Sequence, residues 1–175
     1  MTEGFVEFHV AGLPEPCQTW YMVVGDLEES KTPLVDVLDR AEEKKDFESP
    51  EYEAAVEVFY KRHLSLGRPW PAEEVQAALE WFAKDPTTYG TMYGPSELYI
   101  SGSLRHWSCI PLLDRIKAPT LLLNGTDDEA QDVAMRPFFD HIRKVKWVTL
   151  DNAAHFSHVD QREKYMTHLR TFLLE

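Results

Sequence analysis

The sequence predicts an α/β chain: helices through the first half, then a closing βαβα unit. Three observations carry that prediction. Helix-start signals recur at Thr32-Pro33, Ser49-Pro50 and Pro71-Ala72. Two short apolar runs, Ala118 to Leu123 and Lys146 to Leu150, come later, and each ends in a polar loop. A helical pattern follows each loop. The composition changes once, near residue 90, from a stretch rich in Glu, Lys, Ala and Leu to alternating apolar and polar segments.

Taken in order, Pro14 and Pro16 precede Cys17 to Val24, which is read as a first short helix. Thr32 caps the next helix and Pro33 takes its first position, where a missing N–H costs nothing. Its apolar residues run from Leu34 to Ala41 at helical spacing. Ser49 repeats the cap, with Pro50 behind it and acids in the first turn, where the helix dipole favours negative charge. Tyr52, Ala55, Val56, Phe59, Tyr60 and His63 then share one face. A further helix starts at Pro71, carries Val75, Ala78, Leu79 and Phe82 as its stripe, and ends at Asp85-Pro86.

Ala118 to Gly125 is a short apolar run ending in a turn, which is how a buried parallel strand reads. Asp132 to Ile142 is helical, with Val133, Phe138, Phe139 and Ile142 as its apolar positions. Lys146 to Leu150 is the second strand, and Asp160 to Leu174 is an amphipathic closing helix. Strand–helix–strand crossovers of this kind are parallel and right-handed almost without exception.

Composition excludes several classes of function. The chain has 175 residues and a formal net charge of −12, which argues against a nucleic-acid or anionic-membrane partner, since both need a basic face. No apolar run approaches the ~18 residues of a membrane span. The first residues lack the basic start and long apolar core of a signal peptide. Two distant cysteines, Cys17 and Cys109, make neither a disulfide framework nor a zinc knuckle. The expectation is a cytoplasmic protein with no cofactor and no metal.

In a parallel sheet, chemistry collects on loops at the carboxyl ends of the strands. Asn124-Gly125-Thr126-Asp127-Asp128-Glu129 follows the first strand and Asp151-Asn152-Ala153-Ala154-His155-Phe156 follows the second. Alone, an Asp after a strand is commonly a helix cap, and a loop histidine is usually solvated. If the two strands are neighbours, however, an acid and a histidine can meet. A buried carboxylate on one imidazole nitrogen fixes the tautomer and leaves the other nitrogen as a general base. The order acid then histidine matches Ser…Asp…His of α/β-hydrolases.

Four motifs extend the pattern into a resemblance. Gly125-Thr126-Asp127-Asp128-Glu129 resembles the Gly-x-x-Asp-Glu acid loop of proline iminopeptidases, which are α/β-hydrolases. Asn152 to Val159 resembles their Ser-His-x-x-His loop, and Tyr89 to Leu98 their Met-x-Gly-Pro-x-Glu-Phe segment. Ser49 to Ala55 resembles a helix start in their cap domain. The similarity runs from about residue 11 to the end. It implies a partial α/β-hydrolase: a helical cap domain plus the last two parallel strands and their helices. The implied divisions are 1–14 as a residual core-strand or linker segment, 15–110 as the cap, and 111–175 as the C-terminal βαβα part.

Carried over by position, Asp128 is the triad acid and His155 the base, with Asp127 the rival for the acid role. Glu97 and Glu129 match the two glutamates that hold a substrate's free N-terminal amine. Burying an ammonium without paired carboxylates is costly, so the pair makes physical sense. The sequence departs from the family in two respects. None of its eight serines has glycine at both −2 and +2, and no His-Gly-Gly-Pro-Gly oxyanion loop is present.

The resemblance therefore implies a serine aminopeptidase that releases N-terminal proline, here holding the base, acid and amine anchors without the nucleophile, and inactive alone. Its substrate partner is a peptide with a free amine and proline first. Self-association, or a partner chain that completes the sheet, is expected. The alternatives are a non-catalytic peptide- or amine-binding module and a helical interaction module, both derived from a hydrolase.

Overall fold

The computed structural model describes residues 2–8, 17–23, 34–96 and 98–175, the first two stretches in backbone only. The chain divides into two units: Met1–Val58 with Thr87–Ser108, and Phe59–Pro86 with Cys109–Glu175.

In the first unit, β1 (Thr2–Phe8) and β2 (Cys17–Val23) form an antiparallel pair, in register from Thr2 opposite Val23 to Phe8 opposite Cys17. This corrects the helix expected at 17–24. Thr19, Trp20, Tyr21 and Val23 are β-branched or aromatic and suit an extended backbone once a second strand is beside them. Helix α1 (Leu34–Lys44) buries Val37 and Ala41, one turn apart. Its expected cap, Thr32-Pro33, lies outside the described residues.

Helix α1 ends with Lys45 in the left-handed region, at φ 54°. The Asp46 N–H reaches Ala41 O at 2.9 Å and the Lys45 N–H reaches Glu42 O at 3.2 Å. That is the Schellman pattern, which favours glycine at the position Lys45 holds. Lys45→Gly should stabilise the chain by about 0.5–1 kcal/mol by removing the Cβ strain. A raised denaturant midpoint at unchanged slope checks this, and a lowered one contradicts it.

Helix α2 (Pro50–His63) begins as its sequence dictates, with the Tyr52 N–H pointing at Ser49 Oγ, 3.4 Å away. Tyr52 and Ala55 are buried, and the Tyr52 hydroxyl is hydrogen-bonded to Ser96 Oγ. The Phe47 ring meets Tyr52 edge-on at 5.5 Å and stacks on Tyr99 at 5.8 Å. After α4 (Thr87–Met92), Gly94 adopts φ +104°, and a Cβ there would lie 2.3 Å from Ser101 Oγ. The turn in the Gly-Pro-x-Glu segment thus requires glycine.

The second unit holds α3 (Glu73–Lys84), a 3₁₀ turn (Ile110–Arg115), β3 (Thr120–Gly125), α5 (Asp132–His141), β4 (Val145–Leu150), α6 (Ser157–Asp160) and α7 (Arg162–Leu174). β3 and β4 are parallel, in register from Thr120 opposite Val145 to Gly125 opposite Leu150. The order strand, acid loop, helix, strand, histidine loop, helix is the one the sequence predicts. Leu64, Val75, Leu113, Leu122, Ile142, Leu150, Ala153 and Ala154 form its buried apolar core.

Three details differ from the sequence reading. Phe82, expected to complete the α3 stripe, is 51% exposed. Of the four apolar positions expected on the helix from Asp132, only Ile142 is buried. The closing helix is interrupted at Gln161, whose φ of −129° separates α6 from α7. Among the described residues, no helix is long and apolar enough to cross a membrane.

Candidate active site

The parallel pairing ends β3 and β4 level, so the loops after Gly125 and Leu150 leave the sheet side by side. The backbone ties them together: the Thr126 N–H donates to Leu150 O at 3.0 Å and the Asp127 N–H to Ala153 O at 2.9 Å. Gly125 makes the approach feasible. A Cβ on it would sit 2.0 Å from Ala153 O and 2.7 Å from Ala154 O, both main chain.

Asp128 is 4% exposed, and its carboxylate is fully engaged. Oδ2 accepts the Gly125 N–H at 3.2 Å, and Oδ1 accepts the Ala130 N–H at 2.8 Å. Oδ1 also lies 2.9 Å from His155 Nδ1. Two backbone donors and an imidazole compensate a buried negative charge that would be prohibitive alone. Because the carboxylate is the acceptor, Nδ1 carries the proton and Nε2 presents its lone pair. The His155 side chain is 46% exposed, and Glu129 Oε1 lies 3.8 Å from Nε2. The arrangement can hold an imidazole in one tautomer, stabilise its protonated form and accept a proton at Nε2.

The structure thus brings together three of the four residues singled out: Asp128, His155 and Glu129. Glu97 lies outside the described residues. Asp127, the rival acid, is exposed and accepts the Thr126 hydroxyl at 3.0 Å. His158 lies against aromatic rings, with Phe156 at 5.4 Å and Tyr165 at 5.8 Å. Among the described residues, no group of three or more His, Cys, Asp or Glu side chains is placed to hold a metal ion.

Several supporting residues escaped the sequence reading. The chain after α2 runs beside the histidine loop: the His155 N–H donates to His63 O at 3.0 Å and the Phe156 N–H to Leu64 O at 2.7 Å. The His63 ring donates from Nδ1 to Asp127 O at 2.9 Å. Asp160 accepts the Ser65 hydroxyl at 2.6 Å, the Leu66 N–H at 3.0 Å and the Ala154 N–H at 2.9 Å. Beneath the acid loop, buried Asn124 accepts Trp147 Nε1–H at 2.9 Å and the Thr149 hydroxyl at 3.0 Å from β4. The sequence shows His63 only as part of a helix face and Asp160 only as the start of the closing helix. The one available signal was an acid five residues beyond the loop histidine.

No protein-family model matches the chain. Individual proteins do. Proline iminopeptidase of Lactobacillus crispatus (strain ST1) is 30% identical over 135 residues, covering 77% of this chain and 45% of the relative. The enzyme of that name from Saccharolobus solfataricus is 31% identical over 137 residues, 78% of this chain and 44% of the relative. The chain is a relative of the proline iminopeptidases, matched over their C-terminal part. It spans under half the length of these curated relatives. Among solved structures, proline iminopeptidase of Mycobacterium smegmatis superposes with a TM-score of 0.71 at 32% identity, over 82% of this chain and 48% of that one. The crystal structure of VinJ gives 0.76 at 32% identity, over 84% and 50%. The fold is that of a partial α/β-hydrolase, as the proline iminopeptidase motifs implied.

Proposed function

We propose that this chain supplies the acid–base half of a serine aminopeptidase site that removes N-terminal proline from peptides. The observation that carries the reading is the 2.9 Å bond between His155 Nδ1 and the buried Asp128 carboxylate. In the reaction, Asp128 holds the Nδ1–H and stabilises the imidazolium. Nε2 takes the proton of an attacking serine hydroxyl and later returns it to the leaving amine. Glu129, beside Nε2, and Glu97 anchor the substrate's ammonium group. The family's nucleophile sits in a Gly-x-Ser-x-Gly elbow, and no serine of these 175 residues has that setting.

The test joins the N-terminal part of the Lactobacillus crispatus relative to this chain and measures turnover of a fluorogenic prolyl amide. The 175-residue chain alone should give none. The chimera should turn the substrate over. A folded but inactive chimera removes the acid–base assignment. Turnover by the chain alone, lost in His155→Ala, would place a nucleophile inside it and overturn the division of labour.

The amine anchor gives a separate result. Glu129→Gln in the chimera should lower kcat/KM for free-amine prolyl substrates about 10- to 100-fold, the worth of one hydrogen bond to a charged group. An unchanged kcat/KM removes Glu129 from the amine site.

A further inference from the structure

We propose that His63, the last residue of α2, is a positioning residue for the Asp128–His155 pair; this rests on the acid–base reading above. His63 reaches both loops that carry the pair, through chemically separate bonds. Its ring donates Nδ1–H to Asp127 O at 2.9 Å, which fixes the peptide leading directly into Asp128. Its own carbonyl accepts the His155 N–H at 3.0 Å, which fixes the backbone of the base. The same carbonyl faces the Glu129 N–H at 3.4 Å. One residue therefore sets the backbone on the acid and histidine sides at once. A shift of about an ångström between such groups is enough to weaken catalysis markedly.

The ring bond does not depend on the charge of His63. Its acceptor is a carbonyl, so Nδ1 donates whether the ring is neutral or protonated. The Phe59 ring lies 5.0 Å from the His63 ring, one helical turn earlier, and packs against it. Neither bond uses the reacting atoms, so His63 acts through the geometry of the pair.

The two bonds can be separated by substitution. His63→Ala removes the ring and keeps the carbonyl. His63→Asn restores an N–H donor at about the same reach. The readout is the downfield proton resonance of His155 Nδ1–H in the 175-residue chain, identified by its loss in Asp128→Asn. His63→Ala should lose or exchange-broaden this resonance while remaining folded by circular dichroism. His63→Asn should retain it.

An unchanged resonance in His63→Ala overturns the proposal. So does a folded His63→Asn that has lost it. If His63→Ala fails to fold, His63→Asn decides alone. Unfolding of both would make His63 a general folding residue and overturn the positioning role. A wild-type chain with no resonance sensitive to Asp128→Asn would sink the acid–base reading itself, which is a distinguishable failure.

Discussion

In the chimera, Asp128→Asn lowers prolyl-amide turnover by about 10,000-fold, and His155→Ala lowers it at least as far. The size follows from the geometry. An amide at 128 presents a donor as readily as an acceptor, so the imidazole is no longer held with its proton on Nδ1. The nitrogen that should receive the hydroxyl's proton is then already protonated, and the base is lost without any change of shape. The two effects should also fail to add, because acid and base act as one unit. Turnover of the double variant close to that of His155→Ala checks this. A drop of less than about 10-fold in Asp128→Asn would mean that the carboxylate only caps its loop.

Gly125→Ala is the second large effect. The new methyl would meet the Ala153 carbonyl at 2.0 Å and the Ala154 carbonyl at 2.7 Å. Both are main chain, so nothing can swing aside, and the histidine loop must move off the end of β3. The displacement breaks the bond from the Asp127 N–H to Ala153 O and disturbs the Gly125 N–H that holds Asp128 Oδ2. A loss of about 2–4 kcal/mol in stability is expected, at the upper end for overpacking. Chimera turnover should fall with it. A denaturant melt within about 0.5 kcal/mol of wild type would contradict the tight approach of the two loops.

Much of this architecture is readable before any coordinates, for local reasons. Ser49-Pro50 announces a helix because cap and first residue are adjacent in sequence. The run ending at Leu123 is read as a strand because it is short, apolar and flanked by Pro119 and Gly125. Asp128 and His155 are found because each follows its own strand. The family motif is what separates Asp128 from Asp127, since strand spacing alone does not distinguish neighbouring acids.

What was not readable is non-local. Cys17 to Val23 is a short apolar segment compatible with either state, and its strand pairing depends on residues 2–8. Asp160 bonds Ser65 across 95 residues of sequence, and the His63 ring bonds Asp127 across 64. Nothing in a helix face or helix start reports such a partner. These supporting bonds decide how firmly the pair is held, and the sequence is silent on them.

The nitrogen that carries the proton on neutral His155 tests the central claim most directly. Nitrogen-15 chemical shifts of the imidazole, recorded above its titration, distinguish the two tautomers. The account predicts the Nδ1–H form, with Nε2 reporting as a bare acceptor, and its loss in Asp128→Asn. A wild-type chain that holds the proton on Nε2 would contradict it, because that nitrogen could not then take a proton from a hydroxyl.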